Sequence, residues 1–201
     1  MFNADSMLVK TPALTQASGT DGVLPSLIEH LAIVAPDLVD HGSRVNDHAR
    51  RVIGLLPDAP PALAELTRIT AALHDVGKLA ISGKLLERPG PLSAIEYARV
   101  QRHAAIGANL LEAVAPDHPI VETVRHHHEW WNGAGYPAGL NGADIPLAAR
   151  IVAVADAFDA MISGRPYRDS FSVIEALDEL IRCAGTQFDP VIVEAMVEAV
   201  R

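Results

Sequence analysis

Apolar residues recur at the three-and-four spacing of a helix through residues 24–34, 45–56, 63–73, 97–114, 120–128, 151–162, 173–181 and 191–200, which predicts a succession of amphipathic helices. The strict alternation that marks a half-buried strand is almost absent. Proline and glycine clusters interrupt the pattern at 57–61, 83–91, 116–119, 133–142 and 164–167, where helices should stop. Ser93, with Glu96 three residues on, has the spacing of a capping box and predicts a helix start there. The expected fold is all-α, without internal repeats. Residues 1–22 are mixed, polar and without sustained period, so they are expected to form a flexible arm, and residues 23–201 a single domain.

Composition narrows the function classes. With 201 residues, 49% of them hydrophobic, the chain can bury one sizeable core. A formal net charge of -9 argues against a sequence-independent grip on long nucleic acids, which needs a broad basic surface. Cys183 is the one cysteine, so no intrachain disulfide can form, and its neighbours suggest a small buried side chain. Asp5, Lys10, Pro12 and Gly19 break up the N-terminus before any export-type apolar run develops, and Arg150, Asp156 and Asp159 interrupt the most apolar later stretch. The expectation is a cytoplasmic protein with no membrane partner.

The chemistry lies in five short pieces: His41, His74-Asp75, His103, His127-His128 and Asp156. The run Ala71-Ala72-Leu73 delivers His74 and Asp75 together, with Lys78 one turn after the histidine. Apolar helices seldom bury such a trio without using it. Imidazoles and carboxylates together suit first-row divalent metals better than Mg or Ca, which favour oxygen ligands. Asp75, with two oxygens, is the natural bridge between two ions; His41 and Asp156 would complete one position and His103, His127 and His128 the other. Such a pair activates water for attack on phosphorus, and Lys78 would stabilise a phosphate oxygen or protonate a leaving one. His30, His48 and His118 have no motif around them and are expected at solvent or helix caps, while His126 should point away from the pair beside it.

The segments His74-Asp75-x-Gly77-Lys78 and His127-His128-Glu129-Trp130-Trp131-Asn132-Gly133-x-Gly135-Tyr136-Pro137 resemble the HD-GYP family, a branch of the HD phosphohydrolases that degrades cyclic di-GMP. The likeness extends over residues 38–195 through His41-x-x-Arg44-Val45, His103-x-x-x-Gly107, Asp156-x-x-Asp159-Ala160 and Arg165-Pro166-Tyr167-Arg168. It implies an HD-domain helical bundle with a glycine-rich loop beside a metal centre. It also implies two divalent transition metals such as Fe or Mn, held by His41, His74, Asp75, His103, His127, His128 and Asp156. Some members hold a third metal through an acid four residues before the first histidine, and Asp37 stands at that position. Lys78 matches the residue assigned to the scissile phosphate, with Asp75 catalytic beside it, and Arg165 and Arg168 match residues that hold the phosphates of the cyclic dinucleotide.

The implied activity is hydrolysis of cyclic di-GMP to pGpG and onward to GMP. The alternatives are another HD phosphohydrolase acting on nucleotides, or a non-catalytic cyclic di-GMP sensor. The loop Asn132 to Gly142 reads as a wall or lid whose Tyr136-Pro137 tip would meet a guanine or a signalling partner. Three positions depart from the family pattern: Asn132 replaces an Asp, Ser82-Gly83 replaces Pro-Asp, and Asp37 replaces a Glu. No sensory module is expected beside the core, and regulation is therefore expected through the arm, self-association or a separate protein.

Overall fold

A computed structural model describes residues 22–57, 59–163 and 170–201. Helices α1 (Val23–Val34) and α2 (Pro36–Ile53) are separated by Ala35 alone. Pro36 opens α2 where its missing N–H would have no helical partner. Helix α3 (Pro61–Leu73) also starts on proline and leads into a 3-10 turn, Val76–Ala80. There follow α4 (Gly83–Leu86), α5 (Ala94–Val114), α6 (Ile120–Arg125), α7 (Leu147–Ile162), α8 (Val173–Cys183) and α9 (Pro190–Val200). The Ser93 capping box forms as predicted, and Ser172 with Glu175 makes a second one at α8. The expected arm lies outside the described residues except for Gly22.

Two apolar clusters hold these helices together. Val45, Val52, Phe158, Leu180 and Met196 anchor the one that joins α2, α7, α8 and α9. Leu31, Leu73, Leu111, Ile120 and Val124 anchor the one that joins α1, α3, α5 and α6. Helix α3 is the shared wall: Leu63 and Ala71 belong to the first cluster, Ile69 and Leu73 to the second. Full burial of each large side chain contributes roughly 1.5–3 kcal/mol. The C-terminal end of α3 therefore emerges at a rigid seam, and His74 is its capping residue.

Two glycines let backbones meet at that seam. A Cβ on Gly42 in α2 would lie 2.6 Å from the Ala71 carbonyl oxygen of α3. One on Gly77 would lie 2.0 Å from the His103 carbonyl oxygen, so the turn after α3 rests directly on α5.

The elements depart from the sequence pattern at a few ends. Helix α2 begins at Pro36, because its first turns carry polar residues, Asp37, Asp40 and His41, that hide the apolar period. The predicted break at 83–91 contains the single turn α4. Helix α6 stops at Arg125 rather than continuing to His128, and His126 to His128 leave it as a turn. Among the described residues the only extended pairings are isolated bridges, Asn132 with Asn141 and Ala184 with Phe188. No helix among them is long and apolar enough to cross a membrane.

Candidate metal centre

Side chains from five parts of the fold converge on the end of α3. His41 comes from α2, His74 and Asp75 from the end of α3, His103 from α5, His127 and His128 from the turn after α6, and Asp156 from α7. Three of the imidazoles are oriented by their own backbone. Nδ1 donates to the carbonyl three residues back: His74 to Ala71 at 2.9 Å, His103 to Val100 at 2.7 Å and His127 to Val124 at 2.6 Å. Ala71 and Val124 lie in final helical turns, where carbonyls lack helical partners. Each bond places the proton on Nδ1 and leaves the Nε2 lone pair free to face inward.

Between His103 and His127 no proton lies on the facing nitrogens, whereas His128 is not oriented in this way and its Nε2 can donate to His103. His103 Nε2 lies 3.3 Å from His127 Nε2 and 3.1 Å from His128 Nε2. His74 Nε2 is buried with no hydrogen-bond partner. Facing acceptors at such distances repel one another unless a cation lies between them. Two donors held at about 2.1 Å from one ion stand roughly 3–3.4 Å apart, so the residues fit a divalent metal. The donor atoms fall into two groups, His103 with His127 and His128, and His41 with His74 and Asp75, each set within 4.8 Å of one another. Asp156 adjoins the second group, with Oδ1 3.0 Å from His41 Nε2 and 3.9 Å from His74 Nε2.

Asp75 joins the groups. Its Oδ1 lies 3.5 Å from His103 Nε2 and its Oδ2 3.5 Å from His74 Nε2. Lys78 Nζ donates to Oδ2 at 2.5 Å from the partly exposed edge of the centre. Burial alone would raise the Asp75 carboxyl, yet the adjoining imidazoles of His74 and His103 and the Lys78 ammonium hold it far below the usual carboxylate range.

The electrostatics of the two groups differ in sign. His41 is raised to about 9, first by its bond to Asp156 and then by that to Asp159, against the opposing effect of burial. Burial also works against the Asp156 and Asp159 carboxylates, but the His41 bond to each, with Arg44 and Ser163 added at Asp159, lowers both, Asp159 to about 2. At the other end burial lowers His103, His127 and His128, with His127 at about 3 and its imidazole neighbours adding to the shift.

Asp159 was missed as a functional residue in the sequence and is central here. It is 1% exposed, accepts from His41 Nδ1 at 2.9 Å, and takes two bonds from Arg44, at 3.0 and 3.2 Å. It thereby aims His41 Nε2 at Asp156. The signal was present: Asp156-x-x-Asp159 and His41-x-x-Arg44 each put two residues on one helical face. Glu129 was also missed. Buried at 4% exposure, it accepts from Ala138 N at 2.7 Å and Gly139 N at 3.0 Å, tying the glycine-rich loop to the His127-His128 turn.

That loop is a wall. Tyr136 stacks on His128, with ring centroids 4.9 Å apart and 30° between planes, rather than presenting a free tip. Burial raises its phenol, which stays protonated. Asn132 Oδ1 accepts from Ala134 N at 3.0 Å, a bond that needs an oxygen but no charge. Asp37 is exposed in the first turn of α2 and belongs to neither donor group. Arg165 and Arg168 lie outside the described residues.

Of the other histidines, His118 accepts from Ile120 N as a cap of α6, and His126 points away from the pair, between Glu122 and Glu129. His48 departs from the expectation of a solvent or capping position. Its ring packs edge-on against Phe158 at 4.9 Å because α2 turns that face toward α7.

Fold and site together define a helical protein built around a paired imidazole and carboxylate centre suited to divalent metals. The chain belongs to the HD domain family, whose model matches residues 25–192. It is 42% identical over 143 residues to a cyclic di-GMP phosphodiesterase of Vibrio cholerae serotype O1, covering 67% of this chain and 29% of that protein. A 3'3'-cGAMP-specific phosphodiesterase 2 of the same organism is 39% identical over 137 residues, covering 67% of this chain and 26% of that protein. The chain thus spans under a third of the length of these relatives. Its fold is similar to that of an HDG"Y"P protein from Bdellovibrio bacteriovorus, with a TM-score of 0.68 and 22% identity over 81% of this chain and 52% of that one.

Proposed function

We propose that residues 23–201 form one catalytic domain, a metal-dependent phosphodiesterase that opens cyclic di-GMP to linear pGpG. The observation that carries this reading is Asp75, buried between two donor groups with one oxygen toward each. Two ions of the Fe or Mn kind fit there, one with His41, His74 and Asp156 and the other with His103, His127 and His128. A third ion would need Asp37. Bound in these groups, the ions would supply a water of lowered pKa and electrostatic stabilisation of the phosphoryl oxygens.

The chain's own residues supply the rest. Asp159 and Arg44 fix the His41 ring, the backbone carbonyls fix three other imidazoles, and Tyr136 covers one side of His128. Lys78 donates from the open edge to a phosphate oxygen or to the departing 3′ oxygen. Water adds to phosphorus, the bond from phosphorus to the 3′ oxygen breaks, and that oxygen leaves with a proton. Arg165 and Arg168 are proposed to hold the remaining phosphate charge, which lets an acidic protein bind an anion. A second hydrolysis would carry pGpG to GMP. The same reading places the domain in the cytoplasm, where it would lower a bacterial second messenger, with a signalling protein as partner at the glycine-rich loop.

A second substrate has specific support, since one relative is named for 3'3'-cGAMP. Anaerobic loading with Mn or Fe(II), incubation with each cyclic dinucleotide and chromatographic separation of the products test both. Cyclic di-GMP is expected to yield pGpG, and Asp75→Ala to lower turnover by on the order of a thousandfold. Metal-replete protein that binds cyclic di-GMP without cleaving it would make the domain a sensor.

A further inference from the structure

A second concave site lies on the flank of the molecule, between α4 and the first half of α5, with a volume of about 500 Å³. That size is within the usual range of small-ligand pockets. Half-buried Ile81, Leu85 and Ile106 give it an apolar part, and no metal-centre ligand lines it. Its walls are cationic: Lys84 and Arg88 stand four residues apart on one side, Arg99 and Arg102 three residues apart on the other. A chain with net charge -9 thus brings four of its sixteen Lys and Arg to one cleft.

One acid, Glu96, lines the same cleft, and it is already committed. It pairs with Arg88 and also accepts from Ser93 N at 2.9 Å and Ser93 Oγ at 2.6 Å in the capping box of α5. Lys84, Arg99 and Arg102 have no carboxylate partner among the described residues. Three unanswered cations around an apolar part repel one another, and a multiply charged anion relieves that repulsion. Guanidinium groups suit phosphate because their donors are paired in one plane, while Ile81, Leu85 and Ile106 offer a surface to a flat, poorly hydrated ring.

We propose that this cleft binds a nucleoside di- or triphosphate, with the phosphates against Lys84, Arg99 and Arg102 and the base on the apolar part. None of its lining residues is a ligand of the metal centre, and the assignment does not depend on the reading of that centre as a phosphodiesterase. Ala80 to Ser82, which line the cleft, continue directly from the turn that carries Lys78.

Titration calorimetry of the full chain with GDP, in metal-loaded and in chelated protein, tests the assignment. Saturable binding is expected in both states, weakening as salt rises. Arg99→Ser with Arg102→Ser should weaken it at least tenfold while the melting temperature stays unchanged, and Lys84→Ser, on another element, should act in the same direction. Pyrophosphate should bind more weakly than GDP. Absence of saturable binding, or binding confined to metal-loaded protein and indifferent to these three residues, would overturn the proposal. GDP held no better than pyrophosphate would overturn the nucleotide assignment.

Discussion

The two ends of the metal centre are built from similar side chains and behave as opposites. At the His41 end, Asp156 and Asp159 grip one ring from both nitrogens and keep it protonated at neutral pH. At the His103 end three imidazoles face one another without a carboxylate of their own, and burial keeps them neutral. A proton thus bridges the donors at the first end, while at the second the facing Nε2 atoms of His103 and His127 mark the place. The difference sets the chemistry of loading: an ion must displace the His41 proton, whereas the imidazole end accepts one without releasing any.

The largest expected effect comes from breaking the seam between the ends. Gly77→Ala would drive a methyl group into the His103 carbonyl and push Asp75 and Lys78 away from α5. A loss of about 3 kcal/mol is expected, at the upper end for overpacking, and a urea melt of the chelated protein reads it directly.

The pH dependence of that melt sharpens the contrast further. His41 has a raised pKa, so its contribution to stability is complete below about pH 6.5 and is lost as pH rises through about 9. The imidazole end has lowered values, so its contribution is complete above pH 6.5 and is lost as pH falls toward about 3. The chelated protein should be most stable near pH 6.5, with an acid limb steeper than the alkaline one, each proton contributing about 1.4 kcal/mol per pH unit. His41→Gln should flatten the alkaline limb and, because Asp156 and Asp159 lose the partner that lowers them, soften the acid limb below about pH 4 to a lesser degree. A smaller effect is expected from Asp159→Asn, which leaves every metal ligand in place but loosens the His41 ring; metal affinity at that end should fall by about tenfold, read by competition with a chelating dye.

The contrast also explains what was legible in the sequence. The helices were, because their buried faces repeat at helical spacing, as Val45, Ala49 and Val52 do in α2. The side chains that converge on the candidate centre were, because His74-Asp75 and His127-His128 are adjacent and chemically conspicuous. Their division into two groups around Asp75 was read from the bridging capacity of a carboxylate, and the structure brings the side chains together in that way.

The supporting contacts were harder to see. Asp159 bonds to His41 across 118 positions of sequence, and Glu129 acts on a loop backbone that carries no side-chain signature. The end of α6 was misread because His126 to His128 fit the helical period, while His127 in fact uses its ring to satisfy the Val124 carbonyl of the last turn. The basic cleft was invisible for a similar reason, since Lys84 and Arg102 meet only when α4 and α5 pack.

The most direct test of the divided centre is metal content by plasma mass spectrometry after anaerobic loading and desalting, in the wild type, His41→Ala and His128→Ala. Two ions per chain are expected in the wild type, falling to one in each variant as one end empties and the other holds. A single ion in the wild type, lost alike from both variants, would contradict the account and make the two groups one site.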